Sequence, residues 1–133
     1  MRENRPIIAL DFASRTEVQT FLEQFPSQEK LFVKVGMELY YAEGPDIIHY
    51  LKDCGYSIFL DLKLHDIPNT VAKAVAASAE LGVWMVNVHA CGGLRMMAAA
   101  KQALADYGDK APLLIAVTVL TSMEQDELQQ AGV

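Results

Sequence analysis

Five short apolar segments, each separated from the next by a helix-like segment, restrict the fold of this chain more than any other feature. They read IIALDF, LFVKVGM, SIFLDLKL, WMVNVHA and PLLIAVTVL, and they are rich in aliphatic and β-branched residues, as short buried strands are. Strands joined by helices of this length run parallel, with right-handed crossovers and with both faces of the sheet covered. The pattern therefore predicts an α/β fold, either an open doubly wound sheet or a (β/α)8 barrel.

The intervening segments carry ordinary helix signals. The sequence Ser14-Arg15-Thr16-Glu17 is a capping box, which marks the start of a first helix. The third helix is predicted from about Pro68, with Val71, Val75 and Ala79 as its buried stripe. The second is predicted from about Pro45, the fourth from Leu94 to Tyr107, and the segment SMEQDELQQAGV is predicted to open a fifth.

Charged residues occupy one face of the first three predicted strands, because successive side chains of a strand point to opposite faces. In the third strand Phe59, Asp61 and Lys63 share a face and oppose Ile58, Leu60, Leu62 and Leu64. In the other two, Asp11 opposes Ile8, Leu10 and Phe12, and Lys34 opposes Val33, Val35 and Met37. The charges lie towards the C-terminal ends of their strands, where barrel enzymes build active sites, and this position favours the barrel.

The length of the chain is short for such a barrel. A complete (β/α)8 domain takes about 250 residues, whereas this chain has 133. No internal repeat or low-complexity segment suggests another way to complete the fold. We interpret residues 1–133 as the N-terminal part of a single TIM-barrel domain, with about the first five strands and four helices and without the C-terminal half.

Composition excludes several classes of protein. A formal net charge of −6 argues against a nucleic-acid surface, which needs clustered Lys and Arg. The apolar runs are far shorter than the roughly 20 residues of a membrane span, and the N-terminus lacks the apolar core of a signal peptide. The sequence therefore predicts a cytoplasmic protein. Cys54 and Cys91 fit no metal spacing, and we expect them to be free packing residues.

The charged residues are the candidates for chemistry. Asp61 and Lys63 project to the same side of one strand, and Asp11 and Lys34 can converge on them from neighbouring strands. Opposite charges at close range hold one another ionised, which lowers the pKa of the acids. The alternative is a charge-paired barrel interior without chemistry, but buried ion pairs are poor stabilisers. Four such charges are costly unless the protein uses them, so a functional site is favoured.

Other polar residues near these strand ends are ambiguous from the sequence alone. Asp66 fits either a site residue or a helix N-terminal acid, and Thr70 fits a first-turn residue. The three histidines, His49, His65 and His89, share no metal-ligand spacing. His89 ends the fourth strand, where a hydrogen-bonded structural histidine is the favoured interpretation.

Six segments together resemble the orotidine 5'-phosphate decarboxylase family of the bacterial type. They are LDFAS, FVKVGMELYY, EGP, FLDLKLHDIPNTV, NVHACGG and AVTVLTS, and they extend along nearly the whole chain. The most specific part is the Asp-x-Lys-x-x-Asp signature, Asp61, Lys63 and Asp66, within the longer string DLKLHDIPNT. The resemblance implies a homodimeric (β/α)8 barrel that converts orotidine 5'-phosphate to UMP and carbon dioxide, in pyrimidine biosynthesis, without metal or organic cofactor.

The resemblance also implies a role for each matching residue. Asp11 and Lys34 would contact the ribose hydroxyls, and Lys34 would also belong to the charged network. Asp61 would face the scissile carboxylate, and Lys63 would deliver the proton to C6. Asp66, Ile67 and Thr70 would reach the active site of the partner subunit, and Thr121, with Ser122 beside it, would lie near the pyrimidine. Trp84 and Val119 depart from the family pattern, which has a small acidic and a polar residue there, and we expect these departures to bear on local packing more than on the reaction.

Two other functions are compatible with the same residues. A sister enzyme of the same superfamily, a keto-sugar-phosphate decarboxylase or hexulose-phosphate synthase, shares the signature but uses magnesium and an enediolate. The context HDIPNT favours the nucleotide enzyme over this one. Alternatively, the chain is a catalytically inactive half-barrel. The family's phosphate-binding glutamine, glycine and arginine belong to the second half of the barrel, so we expect little turnover from residues 1–133 alone.

Overall fold

The strands form one parallel sheet in strictly sequential order. A computed structural model describes residues 4–132, so residues 1–3 and 133 of the predicted domain lie outside the described residues. Within that range the sheet has the order β1-β2-β3-β4-β5, and each neighbouring pair is parallel. The strands are β1 (Ile7–Ala9), β2 (Phe32–Gly36), β3 (Ser57–Leu64), β4 (Met85–His89) and β5 (Leu113–Val117).

This strand order decides between the two predicted architectures. A doubly wound sheet reverses direction at a switch point, so its strand order is not sequential. Here every crossover moves one strand in the same direction, as in a (β/α)8 barrel. The predicted fold class is confirmed: residues 4–132 form five parallel strands with their helices, an α/β fold that is part of a (β/α)8 barrel.

Helices occupy each connection between the strands, and the connection between β2 and β3 contains two of them. The helices are α1 (Arg15–Leu22), α2 (Met37–Glu43), α3 (Asp46–Asp53), α4 (Pro68–Glu80), α5 (Leu94–Ala103) and α6 (Gln125–Gln130). The stripe predicted on α4 is buried, with Val71, Val75 and Ala79 between 0 and 7% exposed. These side chains belong to one core with Val33, Val35, Ile58 and Leu60 of the sheet. We call that side of the sheet the outer face, and the side that carries Lys34 and Asp61 the inner face.

Several predicted boundaries differ from the structure. Strand β1 ends at Ala9, although the next residue, Leu10, still donates its N–H to the Lys34 carbonyl at 2.9 Å. Met37 is not part of β2 but begins α2, a helix that the sequence did not predict, and it is 53% exposed. The extended backbone of Gly36 lets the chain pass directly from strand to helix. The fourth predicted helix ends at Ala103, and Tyr107 lies in the following 3-10 segment, Ala105–Lys110.

The cysteines show one further difference. Both are free thiols, as expected. Cys54 is partly buried, but Cys91 is exposed and therefore does not pack in the core.

In residues 4–132 we find no helix with the length and apolar character that crossing a membrane requires.

Ser14 caps α1, and its replacement is expected to destabilise the protein. The Ser14 hydroxyl accepts the Glu17 N–H at 3.3 Å, and the Glu17 carboxylate accepts the Ala13 N–H at 2.8 Å. Ser14→Ala should lower the free energy of unfolding by about 1 kcal/mol, because a helix N–H loses its acceptor. Urea unfolding followed by circular dichroism measures the change. Ser27→Ala is the control, since among residues 4–132 the Ser27 hydroxyl bonds only the exposed side chain of Gln28. Equal effects of both changes would contradict the capping role.

Candidate active site

Four charged side chains form a continuous network at the C-terminal ends of the first three strands. The Lys34 ammonium lies 3.3 Å from the Asp11 carboxylate and 3.4 Å from that of Asp61. The Lys63 ammonium donates to the Asp61 carboxylate at 2.8 Å. The structure thus brings together the four residues that strand periodicity had placed on one face. The network alternates in charge as acid, base, acid, base.

Asp61 is the most buried member of this network. Its side chain is 10% exposed, compared with 65% for Asp11. Burial by itself raises the pKa of the Asp61 carboxyl, but hydrogen bonds from Lys63 and Asn87 and the charges of Lys63 and Lys34 outweigh it. The pKa of Asp61 is therefore lower than that of a free aspartate, and the group is a carboxylate at neutral pH.

Gly36 leaves space for this arrangement. It is the register partner of Asp61 on β2, so its side of the inner face has no side chain. A Cβ atom at this position would lie 3.3 Å from the Lys34 Nζ and 3.7 Å from the Asp11 Oδ1. Any larger residue would therefore crowd the ammonium that bridges the two acids.

The sequence did not identify Asn87 as a site residue. Asn87 lies on β4, is 1% exposed, and donates its Nδ2 to the Asp61 carboxylate at 2.7 Å. Its Oδ1 accepts the backbone N–H of Lys63 at 2.8 Å. The available signal was a single amide in the otherwise apolar strand segment MVNV, because buried polar groups need partners.

Lys63 has an unusual backbone conformation. Its φ angle is +49°, and within residues 4–132 it is the one residue other than glycine with a positive φ. A lysine in this region costs about 1–3 kcal/mol and persists only where surrounding contacts impose it. Such strain is typical of functional sites, and here it falls on the central residue of the predicted signature.

A cavity of about 540 Å³ opens above the network. Lys34, Asp61 and Lys63 line it from the strands, and Thr121 and Ser122 line it from the segment after β5. The structure therefore places the predicted residue Thr121 in the same cavity as the charges. Val119 also lines this cavity, whereas Trp84 packs edge-on against Phe32, with ring centroids 4.7 Å apart, at the opposite ends of the strands.

Asp66, Ile67 and Thr70 lie outside the charged network. Among residues 4–132, no ion pair includes Asp66; its carboxylate accepts the N–H of Ile67 at 2.6 Å. Asp66 and Thr70 are exposed, and Ile67 is 69% exposed. Asp66 and Thr70 line a second pocket of about 330 Å³, which Lys63 also lines. These three residues therefore do not line the cavity above the network, although Asp66 and Thr70 share the second pocket with Lys63.

The two histidines near the site contact each other. The His65 and His89 rings are stacked with centroids 5.7 Å apart. The His89 Nδ1 accepts the N–H of Cys91 at 3.2 Å. His89 is therefore a hydrogen-bonded histidine at the end of β4, as predicted from the sequence. His49 lies apart from them, exposed on α3.

The lowered pKa of Asp61 should make the free energy of unfolding depend on pH. Because its folded pKa is lower than the unfolded value of about 3.9, ionised Asp61 stabilises the fold above that pH, and this stabilisation is lost as the pH falls through the folded pKa. Asp61→Asn should reduce the free energy of unfolding at pH 7 by about 1.5–3 kcal/mol and flatten its decline below pH about 4. Urea unfolding at several pH values measures both effects. Asp109→Asn, at an exposed position, is the control, and equal acid slopes in the wild type and Asp61→Asn would contradict the assignment.

Comparison with known proteins matches the sequence of this chain to one family. The model of the "Orotidine 5'-phosphate decarboxylase / HUMPS family" matches residues 4–133. The orotidine 5'-phosphate decarboxylase of Streptococcus suis is 66% identical over 129 residues, which are 97% of this chain and 54% of the relative. That of Enterococcus faecalis is 61% identical over 128 residues, 94% of this chain and 54% of the relative.

Two solved structures resemble the fold closely. An uncharacterized conserved protein from Geobacillus kaustophilus is 54% identical, with a TM-score of 0.88 over 93% of this chain and 59% of that one. Orotidine 5'-phosphate decarboxylase from Lactobacillus acidophilus is 44% identical, with a TM-score of 0.86 over 97% of this chain and 59% of that one. The chain spans about half the length of the curated relatives that it matches. On sequence and fold together, the chain belongs to the orotidine 5'-phosphate decarboxylase / HUMPS family.

Proposed function

We propose that this chain provides the catalytic lysine and its carboxylate partners for decarboxylation of orotidine 5'-phosphate to UMP. The observation that carries the proposal is the 2.8 Å contact between the Lys63 Nζ and Asp61 within an alternating network of four charges. Relatives named orotidine 5'-phosphate decarboxylase, at 57–66% identity, support the substrate.

The geometry suits a reaction that develops negative charge on carbon. Loss of carbon dioxide leaves a carbanion at C6 that the pyrimidine ring delocalises poorly. An ammonium already fixed at this position stabilises the charge with little reorganisation and then supplies the proton. In this proposal Lys63 is the acid, Asp61 faces the scissile carboxylate, and Asp11 and Lys34 bind the ribose. Thr121, at the rim of the cavity, contacts the pyrimidine.

The exposed residues beside the site are proposed to contact a second copy of the chain. Asp66 and Thr70 are exposed beside Ile67, and Met37 and Tyr41 on α2 line the same pocket as Asp66. Ile67, Met37 and Tyr41 are 53–73% exposed, so they offer an apolar surface around the two polar residues. We propose a homodimer in which Asp66, Ile67 and Thr70 reach the partner's site, which accounts for their position outside the network.

The domain organisation is also proposed. The curated relatives continue well beyond the matched region, which is 54% of their length. Residues 1–133 would then be the N-terminal part of one barrel domain, and the groups that bind the substrate phosphate would come from the other part. In this proposal the charges of the reacting centre all come from this chain, with Asp11 just beyond β1, Lys34 on β2, and Asp61 and Lys63 on β3.

The test uses a chimera of residues 1–133 joined to the rest of the Streptococcus suis relative. Purified chimera is assayed for UMP formation from orotidine 5'-phosphate in excess EDTA and again with added magnesium. We expect equal rates under both conditions. A strict need for magnesium, with turnover of a keto-sugar phosphate instead, would overturn the proposal in favour of the enediolate reaction.

A further inference from the structure

The pairing of β3 with β4 is interrupted at the two charged residues of the site. Leu60 pairs with Val86, and Leu64 pairs with Val88. Three residues of β3, Asp61 to Lys63, therefore lie opposite the single residue Asn87 of β4. A β-bulge of this kind leaves main-chain groups without their usual ladder partners and redirects side chains.

The Asn87 side chain forms hydrogen bonds to β3 where the backbone pairing between β3 and β4 is interrupted. Its Oδ1 accepts the Lys63 N–H at 2.8 Å, and its Nδ2 donates to the Asp61 carboxylate at 2.7 Å. Only this orientation of the carboxamide satisfies both neighbours. The reverse orientation would set an NH₂ group against an N–H donor and an oxygen against a carboxylate. Asn87 is thus suited to an ionised Asp61 and to the left-handed backbone of Lys63 at the same time.

We infer that Asn87 is a positioning residue, which clamps the bulge of β3 so that the Asp61 carboxylate and the Lys63 ammonium keep their reactive geometry. This inference rests on the proposed function for its effect on catalysis. Without the Oδ1 acceptor, Lys63 loses the contact that compensates its positive φ, and the backbone relaxes towards the ordinary strand conformation. The ammonium then moves away from the position that the reaction requires.

Two nearly isosteric variants separate the two hydrogen bonds. Asn87→Leu removes both of them. Asn87→Asp keeps an acceptor for the Lys63 N–H but places a second carboxylate against Asp61, and such a pair holds one shared proton with a raised pKa. The shared proton restores a donor between the two groups, so the effect of Asn87→Asp depends on pH and that of Asn87→Leu does not.

In the chimera, Asn87→Leu should lower kcat by about 10²-fold, at every pH from 5 to 8 and with KM nearly unchanged. Asn87→Asp should lower kcat at pH 8 but regain activity relative to the wild type as the pH falls. Val88→Ala is the matched control, because Val88 is buried at 2% on the outer face of the same strand. It should reduce thermal stability without changing kcat or the pH profile.

A second readout does not depend on turnover. In residues 1–133, carboxyl carbon NMR should show a higher pKa for Asp61 in Asn87→Leu than in the wild type or Val88→Ala, and the Lys63 amide should exchange faster. If the wild-type chimera forms no UMP but both NMR signals change in Asn87→Leu, the proposed function is wrong and the positioning role of Asn87 is supported. If kcat, pH profile, Asp61 pKa and Lys63 exchange all match Val88→Ala, Asn87 is only a packing residue and the inference is wrong.

Discussion

Replacing Lys63 by alanine is expected to lower kcat of the active chimera by about 10⁴-fold or more, because in the proposed reaction this one side chain supplies both proton transfer and charge stabilisation. Within residues 4–132, one other ammonium lines the cavity, that of Lys34. Lys34 is the neighbouring lysine on the inner face, but its ammonium lies between the carboxylates of Asp11 and Asp61, at 3.3 and 3.4 Å. It cannot approach the substrate carbon without breaking both contacts.

The measurement is single-turnover formation of UMP by Lys63→Ala with the chimera in excess over substrate, which excludes effects on product release. Lys73→Ala is the matched control, because Lys73 is an exposed lysine on α4, the helix that follows the signature. That variant should keep the wild-type rate. A loss of less than tenfold in Lys63→Ala would contradict the assignment of Lys63 as the acid.

Periodicity predicted the sheet well because its physical cause is local. The outer-face residues Val33, Val35, Ile58 and Leu60 are 0–2% exposed, as their alternation with Lys34, Phe59 and Asp61 indicates. The stripe of α4 was predictable for the same reason, since a helix buries residues at a spacing of three to four.

The boundaries failed where tertiary contacts override the local pattern. Met37 continues the alternation of β2 and would fit a strand, yet the chain turns into α2 directly after Gly36. An apolar residue carries no information about which of two neighbouring elements it joins. The short helix Met37–Glu43 lacks a side-chain cap, so the sequence offered no start signal for it.

The sequence identified the four charged residues of the site, but not Asn87 or the backbone conformation of Lys63. Asp11, Lys34, Asp61 and Lys63 were identified because charges on a buried face are costly without a use. Asn87 was missed because one amide in a strand carries no charge. The positive φ of Lys63 was not predictable either, since lysine has no preference for that conformation and the bulge appears only when β3 and β4 pair.

Residues 1–133 by themselves are expected to form UMP at least about 10³-fold more slowly than the chimera, because binding energy from the remote phosphate normally helps to stabilise the transition state. The inner face gives a second reason. Leu113 and Ile115 of β5 are 53% and 41% exposed, and Ile7 of β1 is 40% exposed, so water reaches the cavity that holds the charges. Ionic contacts weaken in contact with water.

Steady-state and single-turnover assays of both proteins, at equal concentration of folded sites, measure this difference. The two contributions can be separated with orotidine lacking the 5'-phosphate. If the missing phosphate contacts dominate, the two proteins should turn over orotidine at similar rates, whereas a chimera that stays much faster on orotidine would assign the difference to exposure of the inner face to water. Robust turnover of orotidine 5'-phosphate by residues 1–133 would instead show that the charged network, with its hydrogen bonds to Asn87, is sufficient for the reaction.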